Sequence, residues 1–221
     1  MRRNSVFFLV FSVVLGLLVG FRPVTMSAAA PMTPEVVITG ADGVETTLNA
    51  ENPEKNYGKG KASFSHGVLT LDNTGEIRKI ITTGGSLTVE VKGTNTLENR
   101  DESNAIYCNY PSSEENGRAV LRIQGDGTLN ATAKAYTLCQ QRGDLIITGN
   151  VQVQASAVAG DPIHVAHSAE VPSSSLSIEG NSSVRAVAGS GSGIRVAAKE
   201  GTISISTSGT VEAVCEDTSA T

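Results

Sequence analysis

The chain has no tryptophan, and its other aromatics are five Phe and four Tyr. Large rings therefore cannot fill its interior, and a core falls to Val, Ile, Leu and Ala. Cysteine is as scarce: Cys108, Cys139 and Cys215 form an odd set with no CxxC spacing and no close histidine. Neither a zinc centre nor a disulfide framework follows from that set. Buried or half-buried free thiols are the reading, with a Cys108–Cys139 bridge between neighbouring repeats as the alternative. Basic residues are in deficit, 17 against 22 acids, so no basic stripe exists to follow a phosphate backbone and nucleic acid is not a partner. The nucleophile elbow, the P-loop and the dinucleotide fingerprint are missing too. A long hydrophobic run is also lacking. The apolar stretch near the start, Val6 to Gly20, runs 15 residues without a charge, short of the roughly 20 a spanning helix needs.

What is present at the start is Arg2 and Arg3, that apolar stretch, and then "SAAA" at Ser27 to Ala30. A basic head, an apolar centre and small residues make residues 1–30 a secretory signal peptide. An uncleaved signal anchor is the competing reading, because Pro31 disfavours cleavage directly after Ala30. The mature protein is expected to be secreted or held at the cell surface, with no membrane span. Losing Arg2, Arg3 and Arg22 moves the formal charge from -5 to -8.

From Gly67 onward the chain repeats itself. Alternating segments recur as "SLTVEVKGTNTLEN" (86–99), "AVLRIQGDGTLNATA" (119–133), "DLIITGNVQVQA" (144–155), "SLSIEGNSSVRAVA" (175–188) and "GTISISTSGTVEAV" (201–214). Aligned by hand, one apolar column reads Val89, Leu121, Leu145, Leu176, Ile203 and the next Val91, Ile123, Ile147, Ile178, Ile205. Past a Gly/Asn/Asp/Ser turn, Leu97, Leu129, Val151, Val184 and Val211 form a third, and Ala131, Val153, Ala186 and Ala213 a fourth. A further short strand follows in "AIYC", "AYTL", "PIHV" and "GIRV", aligning Ile106, Tyr136, Ile163, Ile194 and Cys108, Leu138, Val165, Val196.

Alternation of period two gives each strand one buried face and one wet face. Like segments returning with the same polarity predict parallel pairing between successive repeats, about 4.8 Å apart. The fold expected is all-β, a parallel β-helix in which each coil completes the core of its neighbour. Asp126, Asn150 and Asn181 mark one corner as a structural polar ladder. Residues 31–66 are read as a cap with the first strands, "EVVITG" (35–40) among them, and 49–62 as a polar loop. Residues 67–221 are the solenoid, with its last coil incomplete.

The outward columns supply the candidate sites. Tyr107, Thr137, His164 and Arg195 form a strip, with Tyr110 nearby, whose aromatic and hydrogen-bonding groups suit a sugar and whose arginine suits a carboxylate. Glu98, Asp101 and Glu102 are the best acidic cluster for calcium, followed by Glu114 and Glu115, although a solvated acidic loop reads the same way. "DPIHVAH" (161–167) invites a catalytic Asp/His pair. On a strand, however, His164 and His167 point to opposite faces, and surface histidines are the plainer reading. No outward column brings two acids onto adjacent coils, which counts against a polysaccharide lyase.

The segments "SLTVEVKGTNTLEN", "LRIQGDGTLNATA" and "GDLIITGNVQVQA" resemble a family of exported bacterial carbohydrate-binding domain proteins. The resemblance covers roughly Gly67 to Thr221. It implies a right-handed, single-stranded parallel β-helix without catalysis that binds acidic plant polysaccharide, with calcium assisting. The expectation is a non-enzymatic glycan-binding module at the cell surface. A passive structural or adhesive module with a surface-protein partner is the alternative, and a lyase-like enzyme comes third.

Overall fold

The computed structural model describes residues 35–82, 84–101, 104–109, 118–167 and 173–216. By internal contacts the chain divides into Met1–Met32 and Thr33–Thr221, and every described residue belongs to the second unit. The expected signal segment (residues 1–30), Tyr110, Glu102, Glu114 and Glu115 lie outside the described residues. Those residues form strands and no helix, so none of their helices is long and apolar enough to cross a membrane.

The first six strands are Val36–Gly40 (β1), Glu45–Leu48 (β2), Glu54–Tyr57 (β3), Gly60–Ser65 (β4), Val68–Asp72 (β5) and Ile77–Thr82 (β6). β1 pairs antiparallel with both β2 and β6, while β3, β4 and β5 form an antiparallel meander. The polar stretch expected as a loop is thus mostly the β3–β4 hairpin. Its period-two pattern is hidden by charge: Tyr57, Ala62 and Phe64 point into the core, while Glu54 and Lys61 pair outside at 2.9 Å.

Repeats then follow. The first is Leu87–Lys92 (β7), Thr94–Asn99 (β8) and Asn104–Cys108 (β9); the second is Ala119–Gly125 (β10), Thr128–Ala133 (β11) and Tyr136–Gln141 (β12). The third is Gly143–Ile147 (β13), Gln152–Ala157 (β14) and Ile163–Ala166 (β15). The fourth is Ser173–Gly180 (β16), Ser183–Ala188 (β17) and Ile194–Ala197 (β18), and Glu200–Thr207 (β19) and Val211–Cys215 (β20) close the series.

Each strand pairs in parallel with its counterpart one repeat on, giving three ladders. The first runs β5-β7-β10-β13-β16-β19, the second β8-β11-β14-β17-β20 and the third β9-β12-β15-β18; β6 joins the second to the third. Inward side chains of all three ladders belong to one hydrophobic cluster. Leu121, Leu145 and Leu176 from the first, Ala131 and Ala155 from the second, and Ile106, Leu138 and Ile163 from the third are at most 2 % exposed. Period-two strands bury alternate residues on one side, and three such sides facing inward need no large ring between them.

Three stretches of the hand alignment slide by two residues. In the first ladder Leu87, not Val89, lies beside Leu121, and Val91 lies beside Gly125. In the second, Asn95 pairs with Leu129 and Leu97 with Ala131, while Val153 takes the place given to Val151. In the third, Leu138 lies between Ile106 and Ile163, and Gln140 between Cys108 and Val165. A shift of two keeps every side chain on its own face. The expected inward residues of the middle repeats therefore remain inward while their partners change, except Tyr136, which is half-buried with its ring against His164.

The polar corner is built as a ladder. Asn181 Nδ2 donates to Asn150 Oδ1 at 3.1 Å and Ser208 Oγ donates to Asn181 Oδ1 at 2.5 Å. Beside it Gly125 and Gly149 stack at φ 123° and 86°, and a Cβ on Gly125 would come within 2.2 Å of the Val91 carbonyl oxygen. Only glycine fits where one repeat's backbone rests on the next.

Candidate functional site

The third ladder carries the most concentrated chemistry. Tyr107, Cys139, His164 and Arg195 occupy one outward column across β9, β12, β15 and β18. Three of the four residues expected in this strip are therefore aligned. Thr137 is not: it lies two residues before the column position on β12, is fully buried, and donates its hydroxyl to the Ser156 carbonyl at 2.5 Å. The place assigned to it belongs to Cys139.

His164 is not a surface histidine. Its Nδ1 faces Asp161 Oδ2 at 3.1 Å, and its ring lies 4.4 Å from the Tyr136 ring at an interplanar angle of 34°. A carboxylate only accepts, so Nδ1 carries the proton and donates. Asp161 is itself buried, with its side chain 6 % exposed. It accepts from the Ser192 amide at 2.9 Å through Oδ1, and Arg195 Nη1 stands 3.6 Å from Oδ2. One desolvated acid thus positions an imidazole from its own strand and a guanidinium from the next. Arg195 remains 58 % exposed, which leaves donors for a ligand. The sequence signal was "DPIHVAH", where Asp161 and His164 stand three apart; what it hid was that Asp161 precedes β15 and reaches back to the ring.

His167 is exposed, and its Nδ1 lies against the Ala197 carbonyl oxygen, away from this cluster. Tyr107, beside Cys139, has its phenol pushed up by burial, with the two neighbouring cysteines adding to the shift. Burial also pushes both the Cys108 and Cys139 thiols up to about 12. At neutral pH these are thiols, not thiolates, and they do not attack as nucleophiles. Cys108 points inward and Cys139 outward, on opposite faces of adjacent strands, which rules out the bridge between them; all three cysteines are free.

Of the expected acidic cluster, Glu98 and Asp101 are described, and each faces an arginine. Glu98 Oε1 accepts from Arg100 Nε at 2.7 Å, and Asp101 faces Arg78 at 3.7 Å. They border a groove of ≈ 590 Å³ shared with Glu76 and Thr96. Calcium takes six to eight oxygens, and among the described residues no group of three or more His, Cys, Asp or Glu is placed to hold a metal ion. A second groove, ≈ 720 Å³, follows the polar corner past Glu90, Gln124, Asp126 and Asn150. There Gln124 Nε2 donates to Glu90 Oε2 at 2.8 Å, so the two side chains hold each other flat against the sheet.

No family matches the chain, and neither a curated protein nor a solved structure matches it. The functional reading therefore rests on the residues themselves.

Proposed function

We propose that the chain is a right-handed, single-stranded parallel β-helix, exported to the cell surface, that binds a carbohydrate without transforming it. Passage from first to second to third ladder in every repeat, around one shared core, supports the coil, and parallel crossovers are right-handed in about 98 % of cases. The observation that carries the binding reading is the Asp161 clamp. It fixes His164 and Arg195 in one column with Tyr107, with the Tyr136 ring against His164. Planar rings offer a surface for a sugar, and a guanidinium pairs with a uronate carboxylate. An acidic plant glycan fits that arginine, but a mature chain at -8 repels a polyanion unless cations screen it. Calcium enters the proposal as such a bridge.

A glycan array with and without calcium tests this. Saturable binding is expected, and Arg195→Ala should weaken it at least tenfold with an unchanged melting curve. An array on which nothing is retained removes the reading. Turnover of a uronan to unsaturated products would establish a lyase instead. A second reading, a structural or adhesive module contacting surface proteins, is favoured by one observation: the last rung leaves Ile203 and Ile205 51 % and 54 % exposed.

A further inference from the structure

Two asparagines stand in the pattern Asn-x-Ser/Thr, Asn130 in "NAT" and Asn181 in "NSS". In an exported chain that pattern accepts an oligosaccharide when it lies on a surface turn. Asn130 does not meet the condition. It sits mid-strand in β11, half-buried between Thr96 and Gln154 of the adjoining strands. Asn181 does: it is exposed, in the turn between β16 and β17. Glu179, also exposed, stands two residues before it and completes the longer acid-x-Asn-x-Ser/Thr form of the signal. Ahead of Asn130 that place is held by Thr128.

We propose that Asn181 is an N-glycosylation site, an inference that rests on the export proposed above. Its Nδ2 bonds to the anomeric carbon of an oligosaccharide carried on a polyprenyl pyrophosphate. The anomeric C–O bond breaks, the leaving pyrophosphate oxygen keeps the electron pair, and Nδ2 releases one proton. The amide that results still has one N–H and its Oδ1. One N–H and Oδ1 are all that the corner uses, since Nδ2 donates to Asn150 Oδ1 at 3.1 Å and Oδ1 accepts from Ser208. The polar corner therefore survives the modification.

The folded corner also sets when the sugar is attached. Ser183 Oγ, the hydroxyl that the signal requires, accepts from the Thr210 amide at 3.2 Å. Ser182 is buried, with its hydroxyl on the Glu179 carbonyl at 2.6 Å. A transferase needs the Ser183 hydroxyl free and the chain open around it, so attachment precedes the pairing of β17 with β20. The glycan then stands at the corner between the first and second ladders, while the Tyr107–Arg195 column runs along the third.

The full chain, leader included, is to be secreted from cells whose oligosaccharyltransferase requires the acid-extended signal, and its peptides mapped by mass. The peptide holding Asn181 should carry one oligosaccharide and Asn130 should be bare. Ser183→Ala and Glu179→Gln should each abolish the added mass with Asn181 still in place, and Ser183→Thr should keep it. An unmodified Asn181 in a secreted protein whose leader has been removed would overturn the site and leave export standing. An unmodified chain with its leader intact would overturn both. Equal modification of Asn130, or modification that survives Ser183→Ala, would overturn the assignment as well.

Discussion

The Asp144 carboxylate ties three rungs of the first ladder together. Arg118 Nη2 donates to Oδ1 at 2.7 Å and Arg118 Nε to Oδ2 at 3.1 Å, while the Ser175 amide and hydroxyl donate to Oδ1 at 3.0 and 2.5 Å. Burial alone would raise this carboxyl, but the hydrogen bonds from Arg118 and Ser175 and the arginine charge outweigh it. They hold it below its ordinary value of 3.8. A carboxyl depressed in the folded state adds stability that is complete above its unfolded value and is lost as pH falls through the folded one. The urea midpoint should therefore drop as pH is lowered from about 5 to about 2, and Asp144→Asn should flatten that drop. A variant with the wild-type slope would show that other carboxyls dominate. The thiols give a second prediction at this scale. With Cys108 and Cys139 pushed up to about 12, about one thiol in ten thousand is ionised at pH 8. A disulfide reagent should label Cys215, which is exposed, rapidly and the other two only on unfolding. Fast labelling of all three would contradict their burial.

At the scale of the strand, inward and outward assignment follows from alternation, and a stability contrast checks it. Ile178 is fully buried, while its neighbour Ser177 lies on the outer face, its hydroxyl donating to Glu179 at 2.5 Å. Ile178→Asp loses about 1.5–3 kcal/mol of side-chain burial and adds several kcal/mol for an unpaired buried carboxylate, enough to unfold the domain. Ser177→Asp should cost under about 1 kcal/mol. Equal shifts in urea midpoint would refute the facing of the strand. Parity was legible in the sequence because apolar residues recur at every second position; register was less so, and particular residues explain why. Asn95 is buried among the inward residues because its amide is fully used. Oδ1 accepts from Thr74 N and Oγ1 at 2.8 and 2.9 Å, and Nδ2 donates to the Lys92 carbonyl at 2.9 Å. Gln140 is buried too: its Nε2 donates to the Ala119 and Gln141 carbonyls at 3.2 and 2.9 Å, while its Oε1 has no hydrogen-bond partner. Gly125 stands inward without a side chain. Matching apolar with apolar slides past all three, since a buried amide or a bare backbone gives no hydrophobic signal. Thr137 entered the candidate strip for that reason. Asp161 stayed out because a carboxylate that reaches back to a ring has no periodic signature.

At the scale of the whole molecule, three ladders share one core, and their two ends differ. Among the described residues, antiparallel strands lie at the first end, while the last rung leaves Ile203 and Ile205 exposed. The outward faces are shaped by the ladders beneath them: a column of side chains one strand apart is a rigid, evenly spaced surface. The Tyr107–Arg195 column is read from that regularity, and it depends on like segments of successive repeats lying side by side.

Methyl-labelled protein in solution tests that dependence most directly. Nuclear Overhauser contacts should step along the first ladder from Leu87 to Leu121, Leu121 to Leu145 and Leu145 to Leu176, and in parallel from Ile123 to Ile147 to Ile178. Contacts that instead join each strand antiparallel to the next strand in sequence, as in a hairpin, would contradict the stacked ladders and remove the surfaces built on them.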